Sequence, residues 1–468
     1  MREFESSGVW SSSTSPDADV VGLVSFSSEA GWKLTIPVGP LDPAESLSIG
    51  ILTPRLPVIH GHLQNGKHVT LVDCIQTNCV IAMPGTVREE YAAALGFIGS
   101  LPCEADPQIY SAQVSYEHLR DWVGVRPAHF DPPTATARSD MRFGYRYETP
   151  DDVFLGTGNG FRIHLQHTVE YESPSVKGFR VNHDCRLSIE AIESVSFQRL
   201  AKTCLAPLGS FLSFCLDSGT NQMDLHVRLT DTDEWIEVGQ QPAALSQGQE
   251  DVIVEPFMLL SLRQLGDRFE SALGHWLNSD GDEVRATSLL AGLASKRTVP
   301  SDLRFLAAVQ ALEALARIDC RLQELQPHEY ERRLALALAG VQDDTKVHKW
   351  AERKLRYANS RPFRDLVMDL VRLVGTYATL LAPDLERFVD DIRDNRNFLA
   401  HRDDTRVRSV LESGELYVLT QGVLCLCKAA VLRRLGFSDE ETASIMRGCS
   451  ACAQWTSRVA GQYGPALA

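Results

Sequence analysis

The stretch of this chain best suited to chemistry is Arg393-Asp394-Asn395-Arg396-Asn397-Phe398-Leu399-Ala400-His401-Arg402-Asp403. Arg396 and His401 supply the two groups that cleavage of an RNA phosphodiester needs. RNA breaks its own backbone when a ribose 2′-OH attacks the adjacent phosphate. An imidazole, with an ordinary pKa of about 6.5, takes or gives the proton near neutral pH. A guanidinium presents a planar fork of donors to the phosphate oxygens as charge builds on them. Asn397 and His401 are four apart, so a helix brings them to one face. The Asn397 amide can then hold a phosphate oxygen or fix the imidazole. Arg396 lies about 140° around an ideal helix from His401. One helix thus aims the pair imperfectly at one phosphate. Either the helix frays before His401 or a second subunit supplies part of the site.

The bare spacing is weak. In a chain with 13 His, roughly three Arg-x4–6-His matches are expected by chance, and Arg55 with His60, Arg162 with His167, Arg268 with His275 and Arg321 with His328 also match. Requiring Asn directly after the Arg and three residues before the His lowers the expectation to roughly 0.02. Only Arg396-Asn397 with His401 passes. The competing reading is that both are ordinary helix-end residues, since cations near a helix C-terminus are favourable anyway. Asp390, Asp391 and Asp394 precede the motif. Adjacent acids on a helix point in different directions, so solvation or pairing with Arg393 is expected before metal binding.

The elements that must carry these residues are helical. Ser301-Asp302 caps a helix through Leu303 to Ile318, and further apolar-periodic segments run over 327–340, 345–357, 361–381, 383–401, 414–436 and 438–454. That pattern predicts an all-α bundle. Ahead of it, residues 1–140 read as mostly β, with runs at Val20–Phe26, Trp32–Pro37, His68–Cys74 and Cys79–Met83 and a hairpin signal at Asn65-Gly66. Asp131 to Thr136 reads as a linker. Residues 141–298 form a second, mixed region, with strand-like runs at Phe161–Leu165, Arg186–Ile192 and Met223–Leu229, a helical stretch at 194–215 and connecting helices after 253. The predicted class is α+β multidomain, with domains 1–140, 141–298 and 299–468.

Charge separates the two halves. The whole chain carries 46 Lys+Arg and 61 Asp+Glu, a net charge of −15. Residues 301–468 hold 24 basic and 23 acidic side chains, a net of +1, so the first 300 hold 22 and 38, a net of −16. Work on nucleic acid is therefore expected of the back half. The 11 Cys are scattered, no apolar leader opens the chain, and the apolar stretch Leu416–Leu432 reads as too short and interrupted to span a bilayer. Free thiols, a cytoplasmic location and no membrane partner are the expectations.

Other features have bland readings. Gly156-Thr-Gly158-Asn-Gly160 lacks the Lys-Ser/Thr of a phosphate loop and reads as a hairpin turn. Cys449-Ser-Ala-Cys452 has zinc spacing, but no second pair follows, and neither a metal nor a cofactor is expected. Arg353, Lys354, Arg356, Arg361 and Arg364, with Trp350 and Tyr357, form either an RNA-backbone track or a solvated helix face. Arg393 and Arg402 join Arg353, Lys354 and Arg356 as candidate RNA contacts.

Arg396-Asn397-x3-His401, late in a helical region, resembles the signature of the HEPN superfamily of ribonucleases and nucleotide-binding bundles. The segment from Phe305 to Leu315 resembles the first helix of that bundle, with Glu313 at its acidic position. Gly8-Val9-Trp10, Gly22-Leu23, Leu34 to Ile36, Gly61, Val69-Thr70-Leu71 and Leu119-Arg-Asp-Trp122 resemble the N-terminal domain of ApeA-type anti-phage proteins. The resemblance implies a metal-independent endoribonuclease that works as a HEPN dimer, or a higher oligomer, and leaves a 2′,3′-cyclic phosphate. It implies abortive-infection defence against a phage trigger, with RNA as substrate and tRNA one candidate. Arg396, Asn397 and His401 are carried over as catalytic and Glu313 as supporting. The alternative is a non-catalytic HEPN dimerisation or nucleotide-binding scaffold with a ligand- or protein-sensing front half. Nucleotidyl transfer is disfavoured, since no Gly-Ser followed by paired Asp on a strand is evident.

Overall fold

The structure is a computed structural model that describes residues 3–27, 29–42, 55–82, 86–125, 127–131, 144–175, 178–230, 233–240, 252–295, 299–319, 322–341, 345–401 and 410–464. It forms two compact units. One comprises Met1–Gly209, Thr220–Val252 and Asp267–Leu277, and the other Ser210–Gly219, Ile253–Gly266 and Asn278–Ala468.

The first unit is β-rich. Its strands are β1 (Phe4–Ser12), β2 (Ser15–Ser27), β3 (Gly31–Ile36), β4 (Arg55–Leu63), β5 (His68–Ala82), β6 (Thr86–Gly99), β7 (Gln108–Tyr116), β8 (Ala128–Asp131), β9 (Gly144–Tyr147), β10 (Val153–Gly158), β11 (Phe161–Ser175), β12 (Gly178–Ser196), β13 (Gln222–Leu229) and β14 (Trp235–Gln240). Strands β6-β3-β2-β1-β4-β5 neighbour in that order and β5 pairs back onto β6, which closes a six-stranded antiparallel barrel. One edge of β6 is divided. Glu89–Ala93 pair with β3, and Leu95–Ile98 pair with β14. Through that second pairing the ladder continues as β14-β13-β7-β12-β11-β10. Strands on both sides of residue 140 share it, because β7 pairs with β12 and β13.

Strand alternation fills the barrel with Trp10, Trp32, Leu34, Ile36, Ile59 and Leu71. The two indoles fit only because glycines face them. A Cβ on Gly61 would stand 2.3 Å from the Trp10 ring, and one on Gly96 would stand 2.3 Å from the Trp32 ring. The Trp32 Nε1 donates to the Gly239 carbonyl of β14 at 2.8 Å. The turn between β4 and β5 falls at Asn65-Gly66, with Gly66 at φ 81°. Asn159 (φ 52°) and Gly160 (φ 87°) make the two-residue hairpin between β10 and β11, so the glycine run there is a turn. The two runs expected at 68–74 and 79–83 are one strand, β5, as far as Ala82, and Met83 lies outside the described residues. The pairing of β5 to β6 carries the polar Gln76, Thr77 and Asn78 through, with a register shift at Gln76/Asn78. Of the predicted linker, Asp131 ends β8 and residues 132–136 lie outside the described ones.

The second unit is helical. Ser301–Asp319 runs through it with Phe305, Ala308, Leu312 and Leu315 buried, packed against Gly281–Ser295, Phe363–Val374, Leu385–His401 and Ser413–Arg434. Ser413–Arg434 is buried nearly all round from Leu416 to Leu432, as befits a core helix. By length and composition it could cross a membrane, yet 78% of its apolar window is buried inside the structure. The segment expected as one helix over 361–381 is two, Phe363–Val374 and Thr376–Leu381. Gly375 at φ 74° ends the first, and Asp439 accepts from the Thr376 amide at 2.9 Å and its hydroxyl at 2.8 Å to start the second. The predicted 438–454 segment likewise divides into Asp439–Gly448 and Ser450–Tyr463 at the extended Cys449.

Candidate active site

The helix Leu385–His401 starts where Asp384 accepts from the Arg387 amide at 3.1 Å, as a capping aspartate does. Phe388, Val389 and Ile392 anchor its inner face. Asn395 is fully buried: its amide donates to the Asp391 carbonyl at 2.8 Å, and its oxygen accepts from the Leu411 amide at 3.0 Å. That clamp ties the returning chain to the helix and fixes the azimuth of the next residue, Arg396.

Arg396 and Ala400, one turn apart, line a cavity of about 430 Å³. The opposite wall is one face of Ser301–Asp319, where Leu306, Gln310, Glu313 and Arg317 recur at helical spacing, and Asp282 and Arg285 of Gly281–Ser295 complete it. Glu313 holds Arg317 at 3.0 Å and Arg396 at 3.6 Å. The Arg396 guanidinium also donates to Asn397 Oδ1 at 3.3 Å and lies 5.5 Å from the centre of the Phe363 ring. The lining ions are three arginines and two acids, so the cavity carries a positive excess suited to an anion.

Of the residues singled out in the sequence, Arg396 contacts both Asn397 and Glu313. His401 is the last residue of the helix, and its side chain is outside the described set, as is all of Arg402. Arg393 is engaged by Asp394 at 2.7 Å and Asp390 at 2.9 Å. Arg361 pairs with Asp369, and Arg364 pairs with Glu386 and Asp390. Of the basic cluster, Arg353, Lys354 and Arg356 are exposed beside exposed Trp350 and Tyr357. Arg317, Arg285, Asp282 and Phe363 are absent from the sequence reading. The Glu313–Arg317 spacing of four residues was a usable signal for the first; the others meet the site only through helix packing.

A family model for ApeA N-terminal domain 1 matches residues 5–276, and one for the Apea-like HEPN domain matches residues 306–441. No curated protein and no solved structure matches the chain. HEPN domains are in general nuclease-type domains that bind RNA and often dimerise, and the second match spans Glu313, Arg396, Asn397 and His401. The first match alone covers more than half of the chain, and the two follow the barrel-bearing unit and then the helical bundle, so the chain belongs to the ApeA family of antiviral defence proteins, with an ApeA N-terminal domain followed by a HEPN domain.

Proposed function

We propose that this protein is a metal-independent endoribonuclease of abortive anti-phage defence, which cuts RNA in the cytoplasm by 2′-OH attack using Arg396, Asn397 and His401. The observation that carries this reading is the state of Arg396: it faces an open, net-positive cavity and holds Glu313 only loosely, at 3.6 Å. A phosphate oxygen offers the guanidinium a shorter, charge-assisted pair than that carboxylate does. In this reading Arg396 stabilises the charge on the pentacoordinate phosphorus, Asn397 positions the phosphate or the imidazole, and His401 moves the proton. Glu313 and Phe363 are positioning residues. A second copy of the helical bundle, joined across a two-fold contact, brings the opposing pair to one phosphate and resolves the 140° offset (about five residues at 100° each) on a single helix.

The substrate is an exposed RNA loop whose unstacked nucleotide can align its 2′-OH, with tRNA one candidate. Arg353, Lys354 and Arg356 suit the flanking backbone. The acidic N-terminal half senses a phage cue and holds the nuclease off until then.

The test expresses wild type, Arg396→Ala and His401→Ala with and without phage and sequences RNA ends that carry cyclic phosphate. Wild type produces such ends on infection and both variants lose them together with protection. Protection that persists in His401→Ala would establish a scaffold instead.

A further inference from the structure

The β11–β12 hairpin of the N-terminal unit has an apolar face that changes character along its length. On β11 the row is Phe161, Ile163 and Leu165, all buried, and the next residue on that face is His167. On β12 the matching row is Ile189, Leu187 and Cys185, and the next is His183. His167 is the direct cross-strand partner of Cys185, and Val169 that of His183. Two imidazoles and a thiol therefore meet where the apolar row stops. Cys185 is 1% exposed and both histidines are half-buried.

The donor atoms converge. His167 Nδ1 lies 3.0 Å from His183 Nε2 and 3.5 Å from Cys185 Sγ, and all three atoms are within 4.8 Å of one another. Zinc binds nitrogen at about 2.0–2.1 Å and thiolate sulfur at about 2.3 Å, so a tetrahedral centre has N–N edges of about 3.3 Å and N–S edges of about 3.6 Å. The 3.0 and 3.5 Å separations match those edges to within a few tenths of an ångström. Supporting groups are in place. The Cys185 amide donates to Asp184 Oδ1 at 2.8 Å and the His167 amide donates to Asp152 Oδ1 at 3.2 Å, which holds two carboxylates near the donors. Arg120 donates to the His183 carbonyl at 3.4 Å, and its guanidinium also acts electrostatically on the His183 ring and the Cys185 thiol. The Tyr147 hydroxyl, on a ring 6.3 Å from that of His183, is buried with no hydrogen-bond partner among the described residues. A metal-bound water would supply that partner.

We propose that His167, His183 and Cys185 form a binding site for a zinc-class divalent cation, with three protein ligands and one solvent position, that staples the outer part of the β11–β12 hairpin. On binding, Cys185 gives its thiol proton to solvent as the metal–sulfur bond forms, and the imidazoles ligate as neutral bases. A second group, Asp217, Cys449 and Cys452, is also within ligating distance, but Lys428 Nζ already stands 2.5 Å from Asp217 and 4.0 Å from Cys452 Sγ. The ammonium supplies the positive charge there and a cation would have to displace it.

The test uses the full-length chain. Zinc per chain is measured after purification without chelator, and the metal-stripped protein is titrated with Co²⁺. Wild type binds one ion with the intense visible bands of tetrahedral cobalt and a sulfur-to-cobalt charge-transfer band, and zinc raises its thermal midpoint. Cys185→Ser and His183→Ala each weaken binding at least about 100-fold and lose the midpoint rise, whereas Cys452→Ser behaves as wild type. His183 is half-buried, so its alanine variant separates ligation from packing should the buried serine disturb the fold. Wild type that binds no tighter than His183→Ala, cobalt bound without the sulfur band, or a signal lost in Cys452→Ser and kept in Cys185→Ser would each overturn the assignment.

Discussion

Arg396 and Glu313 are joined across two packed helices at 3.6 Å, while the other oxygen of the same carboxylate holds Arg317 at 3.0 Å. The unequal pair of distances gives the cavity its character. Glu313 belongs first to Arg317, one turn along its own helix, and only secondarily to Arg396. With the Arg396 side chain 32% exposed, such a pair contributes roughly 0–1 kcal/mol. Arg396 thereby lines the cavity held by a long pair to Glu313, a 3.3 Å bond to Asn397 and the Phe363 ring.

Arg396→Ala is expected to lower single-turnover RNA cleavage by about 100-fold or more, the scale for removing one donor from a developing oxyanion. Stability should change by no more than about 0.5 kcal/mol, because the residue fills no core space. Arg396→Lys keeps the charge and loses the fork, so it should recover only a small part of the rate. Cleavage assays and thermal melts on the same preparations check both halves. Full activity in the alanine variant would remove Arg396 from the chemistry.

Glu313→Gln leaves Arg317 and Arg396 facing each other without the intervening charge. A fall of about 10-fold in rate, equivalent to about 1.4 kcal/mol of lost positioning, is expected with the pH–rate profile unmoved. A displaced profile would show that Glu313 carries a proton in the reaction.

The barrel gives a prediction independent of function. Gly96→Ala would put a Cβ 2.3 Å from the Trp32 ring, which is 1% exposed and held by its bond to Gly239. The indole cannot withdraw without losing that bond, so a loss of about 3 kcal/mol or more is expected, at the upper end for overpacking. Urea unfolding of the variant measures it.

Burial holds the imidazoles of His60, His68 and His226 below their ordinary value of 6.5. Each binds a proton less readily in the folded chain than in the unfolded one, so unfolding favours proton uptake as the pH falls below 6.5. Their stabilisation is therefore complete above that value and is lost as the pH falls from it through the folded values. The thermal midpoint should drop as the pH falls below 6.5. His226→Gln should flatten part of that slope; an unchanged slope would show that His226 ionises freely in the folded chain.

What the sequence by itself determined is local. Asn65-Gly66 and Asn159-Gly160 specify hairpins because few other residues accept positive φ, and Arg396-Asn397 with His401 stands out because the chemistry needs those side chains on one short helical segment. The helical back half was legible from its apolar period, and so was the β-rich front. Tertiary structure decided the rest. Nothing in β5 or β6 alone states that they pair to close a barrel, and the barrel's indoles fit against glycines that lie far along the chain but on neighbouring strands. Gly375 becomes a helix break because Asp439, far along the chain, is there to cap the restart. Arg285 and Arg317 join Arg396, and His167 meets His183 and Cys185, only once register and packing are set. Such meetings are settled by the mutual fit of buried surfaces, a property of pairs of segments that no single stretch of residues encodes.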